Sequence, residues 1–164
     1  MLVIDTSSLI QIKQVVPAEH RKMVFAHLSE LVERDVLVYP AEVVAELGRA
    51  AKPGDMPHQW ATQNEEHATR HGSMLTEVSQ ILRHAHVRRV LDPDKATGVD
   101  EADPYVLALA LHLKQGSDVM VLTEERRDSP KKLSMASACG LLRFFCLSIE
   151  PFMAQQKIWP SARS

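Results

Sequence analysis

The sequence predicts an α/β domain on a mainly parallel sheet, and three observations carry that expectation. Four short apolar runs, MLVI at 1–4, VLVY at 36–39, VMVL at 119–122 and FFCL at 144–147, are continuous rather than alternating, as in strands covered on both faces. The long stretches between them carry apolar residues at helical spacing, for example Val24, Leu28, Leu31 and Val32, or Val106, Leu109, Ala110 and Leu113. Strands separated by helices need crossover connections, which make neighbouring strands parallel.

The first run is cut off by Asp5 and the three hydroxyl residues Thr6, Ser7 and Ser8. The second ends at Pro40 and leads into a helix carrying VVAEL. Pro53, Gly54 and Pro57 mark the turn that follows. Residues 57–89 are polar and rich in His, Gln and Glu, with Met74, Leu75, Val78, Ile81 and Leu82 forming an apolar stripe. Two helices broken near Gly72 are expected there, capping the sheet rather than extending it. Residues 92–97 read as a loop, and PYVLALALHL, from Pro104, as a helix before the third run. The expected division is one domain over residues 1–156, with the helical polar insertion at about 57–89, and a tail at 157–164 that frays from Lys157.

Composition agrees with one globular unit: 164 residues, 45% apolar and 24% charged, are enough to bury a core without disulfides. Cys139 and Cys146 form no CxxC or zinc pattern and read as reduced core residues. No apolar run reaches the length of a membrane span and no basic leader precedes one, so the expectation is a cytoplasmic protein with no membrane partner. A net charge of −2 provides no global attraction for nucleic acid, although an acidic cluster can mask a local basic rim. The phosphate-binding, dinucleotide and serine-hydrolase glycine motifs are absent, and Asp5 is followed two residues on by Ser7, which departs from the D-x-D pattern of haloacid-dehalogenase-like phosphatases.

Open parallel sheets bind ligands outside the carboxyl ends of their strands, and acids recur there. Asp5 ends the first run; Glu42 and Glu46 share a face of the helix after the second; Asp100, Glu101 and Asp103 precede PYVLALALHL; Glu124 and Glu125 end the third run. Gathered carboxylates repel unless they are protonated or bind a hard cation, for which Mg²⁺ or Mn²⁺ is the natural choice. Such ions polarise phosphoryl oxygens and activate water, so the implied chemistry is phosphodiester hydrolysis. Each acid also has an ordinary structural role open to it. Asp103 before Pro104 suits a helix N-cap, Glu46 can pair with Arg49, and Glu124 and Glu125 can be solvated loop residues. Asp5, directly after a buried strand, has no obvious capping duty.

In their order and spacing, VIDTSSLI, VVAEL, ADPYVLALAL and VLTEE resemble the motifs of the PIN domain. The segment around Trp60 and the stretch PKKLSMASACGLLRFFCLSIEPF are similar to an uncharacterised bacterial PIN-like subgroup, of which the VapC toxins are better-studied relatives. The resemblance implies a three-layer α/β/α sandwich and a metal-dependent endoribonuclease that cuts single-stranded or structured RNA with Mg²⁺ or Mn²⁺. It also implies the toxin of a toxin–antitoxin pair, with a cognate antitoxin as partner, and a homodimer. Carried over by motif, the catalytic and metal-holding acids are Asp5, Glu46, Asp103 and Glu125, while Ser7 and Thr123 orient ligands or water behind them. The last acid of the family is usually aspartate, whereas here Glu124 and Glu125 are both one methylene longer, and Asp100 competes with Asp103 for the third position. Asp103 is the expected ligand, and either glutamate can reach an ion.

Arg126, Arg127, Lys131 and Lys132 follow the TEE motif directly; with Glu125 facing the metal they would rim the pocket and touch the RNA backbone. Arg83, His84, His86, Arg88 and Arg89 form a second basic stretch, read equally as a phosphate-touching surface or a solvated helix end. His67 and His71, four apart, have the spacing of transition-metal ligands but no third partner, and an exposed helix face is the expectation. The aspartate-to-glutamate change also motivates a different class of function, a PIN-like binding or scaffold module without efficient catalysis.

Overall fold

A computed structural model describes residues 1–72, 74–92 and 101–159. The four apolar runs form four strands: β1 (Leu2–Ile4), β2 (Leu37–Val38), β3 (Met120–Leu122) and β4 (Phe145–Leu147). They pair in parallel in the order β2-β1-β3-β4, with Leu2 opposite Leu37 and Met120, and Met120 opposite Phe145. Among the described residues eight α-helices surround the sheet: α1 (Thr6–Val15), α2 (Ala18–Glu33), α3 (Ala41–Ala50), α4 (Met56–Ala68), α5 (Leu75–Arg83), α6 (Ala102–Leu113), α7 (Met135–Leu142) and α8 (Ile149–Gln155). The architecture is a three-layer α/β/α sandwich. Val3, Ile4, Leu37, Val38, Val121 and Leu122 are completely buried, which explains why their sequence is continuously apolar.

The strand order sets the position of any site. From β1 the chain moves to β2 on one side, then returns to lay β3 and β4 on the other. The direction of winding therefore reverses between β1 and β3, and the crevice beyond their carboxyl ends is the topological switch point of the sheet.

Residues 57–89 add helices and, among those described, no strand. In α4, Trp60 packs against Phe25 and Tyr39, each ring centroid 5.6 Å away, and Trp60 Nε1 donates to Ser29 Oγ at 2.9 Å. The buried Tyr39 hydroxyl donates to the Ala61 carbonyl at 2.7 Å, so α4 is fastened to α2 and to the end of β2. Gly72 takes a left-handed backbone (φ 78°) at the break, and α5 then packs on α6 through Val78 and Ile81.

Of the tail expected to fray from Lys157, residues 160–164 lie outside the described residues, while Ile158 and Trp159 are packed. Ile158 is buried and donates its N–H to the Met153 carbonyl at 2.9 Å, while the Trp159 ring lies 4.9 Å from that of His20, so the chain stays packed through Trp159. Three residues are too few to show a period, and the apolar pair Ile158 and Trp159 was the available signal. Both cysteines are free thiols, Cys139 buried and Cys146 half-buried. Among the described residues no helix is long and apolar enough to cross a membrane.

Candidate active site

Asp5 and Thr123 continue the strand ladder one step beyond β1 and β3: Asp5 N–H donates to the Leu122 carbonyl at 2.9 Å, and Thr123 N–H to the Leu147 carbonyl at 3.0 Å. This fixes both residues at the switch point. Asp5 occupies the N-cap position of α1, yet its side chain caps nothing. Its carboxylate, 1% exposed, accepts hydrogen bonds at Oδ2 from Ser7 Oγ at 2.7 Å and Thr123 Oγ1 at 2.9 Å. Each hydroxyl in turn accepts a backbone N–H, Ser7 from Glu124 at 3.0 Å and Thr123 from Glu125 at 3.2 Å. Two main-chain donors thus orient two hydroxyls whose single protons are committed to Asp5. Burial is the largest influence on Asp5 and pushes its pKa from the ordinary 3.8 to about 6; the two hydroxyls oppose the rise, while the charges of Glu125 and Glu46 add to it.

The other acids arrive from three more segments. Glu46 on α3 accepts from Thr6 Oγ1 at 2.7 Å, tying the start of α1 to α3. Asp103 is the second residue of α6, and Glu101 holds the N-cap position, so the capping role considered for Asp103 belongs to another residue. Asp103 is 5% exposed; burial, then the charges of Asp5 and Glu125, raise its pKa well above the carboxylate range. Glu125, whose side chain is 34% exposed, contributes to the shifts of both aspartates and so stands beside them. Glu124 is engaged elsewhere: its Oε1 accepts from Ser8 Oγ at 3.2 Å and from Ile149 N–H at 2.7 Å, joining α1 to the N-terminus of α8. Asp100 lies outside the described residues.

The basic residues separate into two groups. Arg126, Arg127 and Lys132 line an open concavity of about 460 Å³ together with Glu124, Glu125, Ser129 and Ser134. Lys131 instead lines a neighbouring depression with Arg88 and Arg89, which brings the end of the 57–89 segment beside the residues after TEE. Lys132 lines the concavity and also reaches inward to the acids. Its Nζ lies 2.8 Å from Asp103 Oδ2 and donates to both Glu125 oxygens at 3.1 and 3.0 Å. The contact with Asp103 is a close ion pair that favours the charged form of both groups. Burial disfavours the Lys132 charge, but Asp103 and Glu125 outweigh it and raise the pKa. Nothing in the sequence marks this inward turn, because the residues between Glu125 and α7 have no period to read.

His71 and His84 have structural partners. α4 ends at Ala68, so His71 does not share its helix with His67; it lies 3.1 Å from Asp35 Oδ1. His84 Nδ1 accepts the N–H groups of His86 at 3.3 Å and Val87 at 3.2 Å, which starts a 3-10 turn at Val87–Val90.

Among the described residues no three His, Cys, Asp or Glu side chains are set to hold a metal ion. The four acids nevertheless influence one another, their donors are hard oxygens, and a cationic group already bridges Asp103 and Glu125. Oxygen donors of this kind suit a hard cation such as Mg²⁺ or Mn²⁺ in preference to a softer one, although the side chains of the described residues do not form a ready-made metal site. No curated protein and no solved structure matches the chain. A family model described as a domain of unknown function (DUF4411) matches residues 2–159, and the chain belongs to that family.

Proposed function

We propose that the chain is a PIN-like endoribonuclease that hydrolyses RNA phosphodiester bonds with the help of Mg²⁺ or Mn²⁺. The observation that carries this reading is the convergence of Asp5, Glu46, Asp103 and Glu125, from four separate segments, on the switch point of the sheet, with both aspartates held against their own ionisation. Selection for stability alone does not collect buried carboxylates, since each raises the cost of charging the next. The four acids would hold the cation, with Ser7 and Thr123 fixing the rotamer of Asp5. When bound, the ion supplies polarisation of the phosphoryl group and neutralises charge developing on it. Arg126 and Arg127, lining the concavity beside Glu125, would hold the phosphodiester backbone. The toxin role, the antitoxin partner and the homodimer enter this proposal through the resemblance alone.

The test is a cleavage assay on mixed single-stranded and structured RNA with Mn²⁺, comparing wild type, Asp5→Asn and an EDTA control. Cleavage that needs both the metal and Asp5, and that persists at a 2′-deoxy position, is expected. A product ending in a 2′,3′-cyclic phosphate would overturn the mechanism. One observation favours the second reading, a binding module: Lys132 already balances two of the acids. On that reading folded wild-type protein binds RNA or a protein partner without cutting, and Asp5→Asn changes neither property.

A further inference from the structure

We propose that Lys132 is a built-in competitor for the cation, so that the acidic pocket loads metal only as the Lys132 amine leaves it. This rests on the metal-dependent reading above and concerns how that site is filled. The Lys132 ammonium stands 2.8 Å from Asp103 Oδ2 and about 3 Å from both oxygens of Glu125, whereas the Ser7 and Thr123 hydroxyls bond Asp5. A hard divalent ion binds carboxylate oxygens at about 2.0–2.1 Å. Two cations cannot draw on the same oxygens at those distances without strong mutual repulsion.

The backbone around Lys132 is pinned, so an exchange needs only the side chain to move. Ser129 N–H donates to the Lys132 carbonyl at 2.9 Å, Lys132 N–H donates to Ser129 Oγ at 2.9 Å, and the next residue, Leu133, donates to the Arg89 carbonyl at 2.7 Å. The Lys132 side chain is 20% exposed, and it lines the open concavity with Arg126 and Arg127, so rotation about its stem carries the amine outward without moving the loop. The competition is therefore a side-chain exchange: ammonium on Asp103 and Glu125 in one state, a divalent ion in the other. A ligand that binds one of two states shifts the balance by its preference alone, so Lys132 sets how much metal the pocket demands.

Mn²⁺ binding to the full chain, measured by calorimetry or by the loss of the free-ion resonance signal, tests this directly. Lys132→Met keeps the stem and removes the charge; it is expected to bind Mn²⁺ on the order of tenfold more tightly than wild type, whereas Lys132→Arg is not. Equal or weaker binding by Lys132→Met, with wild type still binding, overturns the competition and leaves the metal site standing. Absence of Mn²⁺ binding in every variant overturns both. A second readout uses wild type alone: acylation of lysines by an N-hydroxysuccinimide ester, read residue by residue by mass spectrometry, should rise at Lys132 when Mn²⁺ is added. Unchanged or reduced labelling at Lys132 under saturating Mn²⁺ contradicts the displacement.

Discussion

Replacing Asp5 by asparagine should stabilise the metal-free protein at neutral pH even though it removes the proposed activity. The carboxyl is 1% exposed, and its pKa in the fold is about 6 against an ordinary 3.8, with burial the largest cause. A raised acid pKa means that ionisation favours the unfolded chain. The penalty is absent below 3.8, grows as pH rises toward 6 and is complete above it. A gap of about two pKa units corresponds to about 3 kcal/mol. Asparagine carries no charge to bury and its amide oxygen can keep both hydroxyl bonds that Oδ2 takes from Ser7 and Thr123, but the NH2 that replaces the other oxygen brings buried donors to satisfy, which gives back about 1 kcal/mol. The net gain at pH 8 is then about 1–2 kcal/mol, or a rise in Tm of about 2–8 °C for a chain of this size. Thermal melts of wild type and Asp5→Asn in EDTA, at pH 8 and near pH 4, would measure it. The gain should vanish or reverse at the lower pH. A variant that melts below wild type at pH 8, or by the same margin at both pH values, would refute the electrostatic account.

Two further substitutions separate structure from the proposed chemistry. Glu124→Ala deletes an acceptor shared by Ser8 Oγ and the Ile149 N–H at the start of α8, so it should cost about 1.5–3 kcal/mol in a denaturant melt while leaving Mn²⁺ affinity unchanged by calorimetry. Arg143 ends α7 in a left-handed conformation (φ 59°), and the bond it receives from Lys114 goes to its carbonyl; Arg143→Gly should therefore gain up to about 1 kcal/mol, read as a higher Tm.

β1, β2 and β3 were legible because they are covered on both faces and so read as continuous apolar runs, whereas β4 lies at the sheet edge with Phe145 79% exposed, and its run FFCL is apolar without being covered. α6 was legible for a related reason, since Val106 to Ala110 are buried in succession and the helix has no wet face to interrupt the pattern. Its start was not. Asp103 with Pro104 has the composition of a cap, but the helix opens at Ala102 behind Glu101, and local chemistry could not choose between two acids within one turn. The order of Ile158 and Trp159 was not legible because it comes from contacts with α2 and α8, which leave no period in the sequence.

The candidate site divides along the same line. Asp5 could be placed from sequence because it directly follows a buried strand, whereas Ser7 and Thr123 entered only through the resemblance. The partners of Glu124 and the inward turn of Lys132 depend on where α8 and the 126–134 loop come to rest, which no local pattern encodes. The same distinction explains the electrostatics. A backbone ladder forces Asp5 into the interior, at a cost that two hydroxyls offset only in part, while one lysine from a loop offsets the repulsion between Asp103 and Glu125. The unfavourable term is built into the sheet, and its compensation is hung on a rotatable side chain. A core under selection for stability alone would remove the acids; a pocket that must accept a cation needs them in place and needs their compensation to be removable.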